Sequence, residues 1–288
     1  MNGFLLIDKP KGVTSANCVY QLRKFLGIKK IGHCGTLDPL ATGLLPICLG
    51  EATKFSSFTT DLDKTYEVEI KFGIETDTGD IDGEIISKCS NNFNEIDVKS
   101  VLRQFTGSQM QTPPMFSALK IKGKPLYSWA RKGVFLLRKE RNIAIHQIDL
   151  LDFGYDYVRL RVSCTKGTYI RSLAESIGRA LNTKAIVFSL RRVGIGEIKS
   201  GDMIDMPKGQ FCDLSSSLLP SDFLLKHLSK AILDQEDAKK VRNGQSIDYN
   251  AQLEKKGLVR IYTNKSFMGI GELNTSNRLS PRRLVAIN

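Results

Sequence analysis

The chain has 288 residues, 41% of them hydrophobic, and a formal charge of +12 at pH 7. Length and composition exclude a disordered or collagen-like chain and allow a large core with two domains. The basic balance disfavours an acidic-surface protein and favours a polyanionic partner, nucleic acid before a membrane surface.

The opening MNGFLLIDKP has neither a basic leader nor a long apolar stretch, so no signal peptide is expected. No apolar run reaches the ~18 residues that span a bilayer. The expectation is a cytoplasmic protein without a membrane. Residues 3–8 read as a strand. TSANCVYQLRKFLG reads as a helix with Thr14 or Ser15 as N-cap, Val19, Leu22, Phe25 and Leu26 on one face, and Gly27 at its end. A glycine-rich loop around Asp38 comes next, then a strand near 44–49 and a short helix near 51–59. KTYEVEIKFGI (64–74) alternates with period two, with Tyr66, Val68, Ile70 and Phe72 on one face. TDTGDIDG reads as a turn-rich loop, and DVKSVLRQFTG (97–107) as an amphipathic helix. Strands near 142–153 and 157–164 precede a helix over 168–181, in which Ile170, Leu173, Ile177 and Leu181 recur at helical spacing. IVFSLRRVGI is a further strand. The composition shifts near 205–230, and a helix followed by short strands suggests a small β-barrel over 229–288.

Strands and helices mix without a regular βαβ rhythm. This argues for α+β, with a mixed and largely antiparallel sheet in a first domain of 1–228 and a β-barrel in the second. Neither G-x-G-x-x-G nor G-x-x-x-x-G-K-[ST] occurs. The six cysteines, at 18, 34, 48, 89, 164 and 212, form no C-x-x-C pair. They read as small buried hydrophobes, without a zinc site or a disulfide framework.

IGHCGTLDPLATGLLPICLG (31–50) holds one acid, Asp38, and no Lys or Arg. An Asp-Pro turn with a local side-chain bond would account for it structurally. The functional reading is a carboxylate held by glycine turns at a cleft wall. Such a group needs a cation from elsewhere in the chain to stay ionised. Arg171, one turn into the helix after Gly167, is the candidate, against the alternative of an ordinary surface arginine. Between Gln111 and Arg141 stand eight Lys or Arg and one Glu, interleaved with Phe116, Tyr127, Trp129 and Phe135. Basic residues among aromatics suit a surface that grips a phosphate backbone and stacks bases. Gly123, Pro125 and Gly133 suggest a projecting hairpin and short helix.

Six ordered segments, GFLLIDKPKGVTS, GHCGTLDPLATGLLPICLGEATK, KTYEVEIKFG, QTPPMFSALKIKGKPLYSWARKG, CTKGTYIRSLAESIG and SLRRVGIGEI, resemble the bacterial TruB family. Its members are tRNA pseudouridine synthases that modify uridine 55 in the T arm. The resemblance runs from about residue 3 to 200, and the tail resembles a short PUA domain more loosely. It implies a pseudouridine synthase fold and roles for particular residues. Asp38 would be the catalytic aspartate and Arg171 its partner. Tyr66 would stack on the target base and accept a proton. His33 would contact the flipped region of RNA, and Tyr169 and Leu190 would line the uracil pocket. Lys9 and Pro10 would be mainly structural. The basic insertion, about 111–141, would bind tRNA through Lys120, Lys122, Lys124, Arg131 and Lys132. No cofactor or metal, no obligate protein partner and a monomer are expected. On this reading Asp38 stands alone because a second nearby carboxylate would force one of the two to take up a proton. The rival readings are a non-catalytic RNA-binding or RNA-folding protein and a guide-RNA-dependent synthase subunit.

Overall fold

The computed structural model of the chain describes residues 1–207, 214–250, 253, 256–264 and 266–286. Its elements run in chain order as β1 (Gly3–Lys9), α1 (Ser15–Leu26), β2 (Ile31–His33), β3 (Thr42–Leu49), α2 (Ser56–Thr59), β4 (Lys64–Phe72), β5 (Ile74–Thr76), β6 (Ile85–Lys88) and α3 (Glu95–Gln104). Then come β7 (Gly107–Gln111), β8 (Lys120–Ile121), β9 (Lys124–Pro125), α4 (Leu126–Ala130), β10 (Arg141–Phe153), β11 (Tyr157–Cys164), α5 (Ile170–Ala180), β12 (Ala185–Ile195), β13 (Ile198–Lys199) and β14 (Ile204–Asp205).

One ten-stranded sheet organises these elements, in the order β14-β1-β3-β12-β4-β11-β10-β7, with β2 on β3 and β13 on β12. The pairings β1–β14 and β3–β12 are parallel and the rest are antiparallel. The chain is therefore α+β with a largely antiparallel mixed sheet. Helices α1, α3 and α5 share one core with the sheet. They contribute Leu22, Val98, Val101, Leu173 and Ile177, and the strands contribute Val68, Ile70, Val158 and Leu160.

Local chemistry explains the boundaries. Thr14 caps α1 by accepting from the Asn17 N–H, and Gly27 ends it at φ 64°. Asn94 and Asp97 form a capping box on α3, so that helix starts earlier than the periodicity placed it. The expected strand over 64–74 stops at Phe72, because Gly73 turns at φ 85° and the chain enters a hairpin of β5 and β6. The expected helix over 51–59 begins as a 3-10 turn, Gly50–Phe55, before α2. Cys18, Cys34, Cys48 and Cys164 are buried, but Cys89 is exposed. Cys212 lies outside the described residues.

A second, five-stranded sheet holds β15 (Ser229–Leu233), β16 (Ile247–Asp248), β17 (Gly257–Thr263), β18 (Ser266–Leu273) and β19 (Arg278–Leu284), in the order β15-β17-β18-β19-β16. It packs with α6 (Gln235–Arg242) around its own core of Val241, Val259, Ile261 and Leu279. Phe55, Leu225 and Ile270 join the two units, and the Ala286 N–H donates to a Glu51 carboxylate oxygen at 2.8 Å.

Candidate active site

The loop that carries Asp38 is tied down from both sides. Leu37 exchanges two bonds with the buried Ser15 hydroxyl: its N–H donates at 2.8 Å and its carbonyl accepts at 3.1 Å. Gly12 donates to the Pro39 carbonyl. Lys9, fully buried, donates to the carbonyls of Pro10, Val13 and Pro39. A lysine buried among carbonyls rather than carboxylates serves as a three-pronged tie. At Gly43 the backbone has φ 95°, and a Cβ would sit 2.4 Å from the Arg192 carbonyl. Only glycine lets β3 close against β12 there.

Asp38 reaches the cavity mouth with its side chain 35% exposed. Arg171 comes to it from the first turn of α5, with its side chain only 4% exposed and its Nη2 2.9 Å from Asp38 Oδ2. The guanidinium also donates to the Thr78 carbonyl at 2.8 Å and the Phe116 carbonyl at 2.6 Å. It is no surface arginine. It fastens the Asp38 loop, the 76–83 loop and the start of the insertion together.

The expectation of a single carboxylate is overturned. Asp80, 5% exposed, has Oδ2 3.7 Å from Arg171 Nε. It accepts from the Thr78 hydroxyl at 2.6 Å and from the Asp82 N–H at 3.2 Å. Burial pushes the Asp80 carboxyl up from the usual range. The Thr78 bond and the Arg171 charge oppose this, and Asp38 adds to it. Two carboxylates thus share one guanidinium, one at the mouth and one in the interior.

The floor comes from two adjacent strands. Lys64 and Tyr66 on β4 face the same way as Leu190 and Arg192 on β12, and Arg192 is paired directly across from Tyr66. These residues, the 35–38 loop, Ser117–Leu119 and residues 165–171 enclose a cavity of about 320 Å³. Burial pushes the Tyr66 hydroxyl up, and the Arg192 charge opposes it most strongly. Burial pushes Lys64 down to about 8, and its ammonium donates to the Thr60 and Leu62 carbonyls.

Of the residues expected at the site, Asp38, Tyr66, Arg171, Tyr169 and Leu190 line this cavity. Tyr169 is held there by its backbone, which exchanges two hydrogen bonds with the Gln111 side-chain amide. His33 is on β2, outside the lining. Burial, then Arg192, lowers its pKa, and its buried Nδ1 meets no protein partner. Lys120, Lys122, Lys124, Arg131 and Lys132 are exposed on the hairpin of β8 and β9 and just after α4. Lys124 lies over the Trp129 ring and Arg131 over the Tyr127 ring. Asp80, Arg192, Lys64 and Ser117 were not singled out from the sequence. The paired arginines of SLRR were the available signal, since alternation along a strand points one of the two inward.

The chain is similar to known proteins over its whole length. A model of the TruB family pseudouridylate synthase N-terminal domain matches residues 23–170, and one of the pseudouridine synthase II TruB C-terminal region matches 229–285. The chain is 42% identical over 290 residues to tRNA pseudouridine synthase B of Dechloromonas aromatica, covering 100% of this chain and 96% of that protein. It is 41% identical to the protein of the same name from Chromobacterium violaceum, covering 99% and 95%. A chain in the structure of an H/ACA RNP bound to a substrate RNA containing 2′-deoxyuridine superposes with TM-score 0.76. It is 22% identical and covers 99% of this chain and 85% of that one, a likeness of fold. A Cbf5-Nop10-Gar1 complex gives TM-score 0.74 at 24% identity, covering 99% and 84%. The fold is that of a pseudouridylate synthase. Within that class, the chain belongs to the TruB family.

Proposed function

We propose that this chain isomerises uridine 55 in the T arm of tRNA to pseudouridine, as a cytoplasmic monomer needing no guide RNA, cofactor or metal. The observation that carries the reading is the Asp38–Arg171 pair at the mouth of a cavity floored by Tyr66. The names of the full-length relatives support tRNA as substrate. A uridine inside a folded loop must be extruded, at a cost of a few kcal/mol. In the cavity its ring stacks on Tyr66, beside Leu190 and Tyr169, while His33 braces the space it leaves.

Asp38, paired with Arg171, starts the cleavage of the bond from N1 to the ribose C1′. The base turns within the cavity and rejoins C1′ through C5. The C5 proton leaves and N1 takes one up from solvent, so the reaction is redox-neutral. Tyr66 is the group placed to receive the C5 proton. The catalytic domain, residues 1–228, performs this chemistry. The insertion, about 111–141, and the PUA-like domain, 229–288, hold the RNA.

The test is tritium release from an unmodified tRNA transcript labelled at C5 of uridine. One tritium released per tRNA supports the reading. Tight binding without release replaces it with a non-catalytic RNA-binding role. Tyr66→Phe keeps the stacking ring and is expected to bind tRNA normally while turning over about 10²–10⁴-fold more slowly. A near-normal single-turnover rate would remove the hydroxyl from the mechanism. Replacing Lys120, Lys122 and Lys124 by Glu should weaken binding. The slope of log affinity against log salt should fall by about one for each lysine that meets a phosphate. An unchanged slope would mean that the hairpin does not grip the backbone.

A further inference from the structure

Arg192 is the largest of the fully buried side chains, at 1% exposed. Arg171 is paired with Asp38 and Asp80, and Arg191, the preceding residue on β12, is paired with Asp8. Among the described residues no carboxylate pairs with Arg192. Its Nε donates to the Leu44 carbonyl at 2.7 Å and Nη2 to the Gly35 carbonyl at 3.2 Å. These bonds pin the guanidinium between β3 and the loop that carries Asp38. A buried cation held by neutral carbonyls alone is costly. Arg192 also lines the cavity, two residues beyond Leu190 and directly across the strand pair from Tyr66.

We propose that Arg192 is a positioning residue for Tyr66. Its guanidinium holds the phenol oxygen at the cavity floor and stabilises the phenolate that takes the C5 proton. This rests on the reading of Tyr66 as the proton acceptor. In that step the C5–H bond breaks and its electron pair returns to the ring as the C5–C6 double bond. The proton goes to the phenolate oxygen, and the phenol later loses it to solvent. The other charged or titratable groups near Tyr66 are Asp38 from the loop, Cys164 from β11, Lys64 on its own strand and Arg171 from α5. Asp38 and Cys164 disfavour the phenolate, and Arg171 is already engaged by two carboxylates. Lys64 donates to the Thr60 and Leu62 carbonyls, and burial lowers it to about 8, so it loses its charge long before a guanidinium does. Arg192 is therefore the cation placed to support it.

The test reads Tyr66 directly, without turnover. The full-length enzyme is prepared with 3-fluorotyrosine at position 66, and its fluorine resonance is titrated by NMR without tRNA. Arg192→Gln is expected to move the midpoint up by about one pH unit or more, and Arg192→Lys, which keeps the charge, by less. An unchanged midpoint in a folded Arg192→Gln chain overturns the proposal. In the tritium assay Arg192→Gln should slow turnover about 10²-fold. On a Tyr66→Phe background the same substitution should cost less than about threefold, because the group it serves is gone. An equal loss on both backgrounds overturns the proposal in favour of a structural role. Should both variants fail to fold, a crystal structure of the wild-type enzyme decides. A guanidinium within hydrogen-bond reach of the Tyr66 hydroxyl upholds the proposal, and one turned away from it overturns it. Wild-type enzyme that releases no tritium would overturn the functional reading alone and leave the fluorine titration interpretable.

Discussion

Asp38→Asn protein is expected to bind unmodified tRNA as the wild type does and to release no tritium, a loss of about 10⁴-fold or more. The substitution is isosteric, and the amide oxygen still accepts from Arg171. The Asp38 side chain is 35% exposed, so its ion pair is screened by water and contributes little to folding. The loop is held instead by Ser15, Gly12 and Lys9, none of which touches the carboxylate. On the proposed function, RNA affinity arises on Lys and Arg of the insertion, which are exposed. On the proposed function, what disappears is the negative charge that begins the bond cleavage. Single-turnover tritium release with equal binding measured in parallel checks this. Substantial residual turnover in a pure sample would remove Asp38 from the chemistry and leave it as a turn residue.

Much of this site was legible because short-range rules decide it. The alternation in KTYEVEIKFGI set Tyr66 on the same face as the buried Val68 and Ile70, and β4 carries all three inward. The spacing of Ile170, Leu173 and Ile177 made a helix, and Arg171 lies in its first turn. Asp80 was not legible, for a physical reason. TDTGDIDG has the composition of a solvated loop, yet Val187 exchanges backbone bonds with Gly79 and Ile81 at a bulge in β12. That docking buries the aspartate against an arginine 91 positions later in the chain. Arg192 follows Leu190 at i+2, and both bulges of β12 lie outside SLRR, so alternation turns Arg192 to the face of Leu190. What hid it is that an arginine ordinarily reads as a surface residue. The one-carboxylate expectation failed because it left out a shared cation. Arg171 reaches both carboxylates, and their competition shows in the Asp80 carboxyl, which burial and Asp38 push up.

Arg171→Met should damage stability and turnover together, and pH should separate the two effects. Removing the guanidinium leaves Asp80 buried with only the Thr78 hydroxyl and the Asp82 N–H as partners. Breaking a buried pair in this way costs about 3–5 kcal/mol. The lower end is expected, because the Asp80 contact is long at 3.7 Å and Asp38 is partly solvated. Burial already raises the Asp80 carboxyl above its unfolded value, and losing the cation raises it further. A carboxyl raised on folding costs stability wherever it is ionised. That cost is fully present above the folded value and vanishes as pH falls towards the unfolded one. The stability gap between variant and wild type should therefore be widest near neutral pH and narrow as the solution is acidified towards the ordinary carboxyl range. Urea titrations at several pH values measure it. Adding Asp80→Asn to Arg171→Met should restore most of the lost stability at neutral pH. Turnover should stay about 10³-fold low, because Asp38 still lacks its cation. A gap independent of pH would mean that the cost comes from lost packing and lost bonds to the Thr78 and Phe116 carbonyls. Recovery of turnover in the double variant would mean that Arg171 acts only by neutralising Asp80, and that Asp38 works without it.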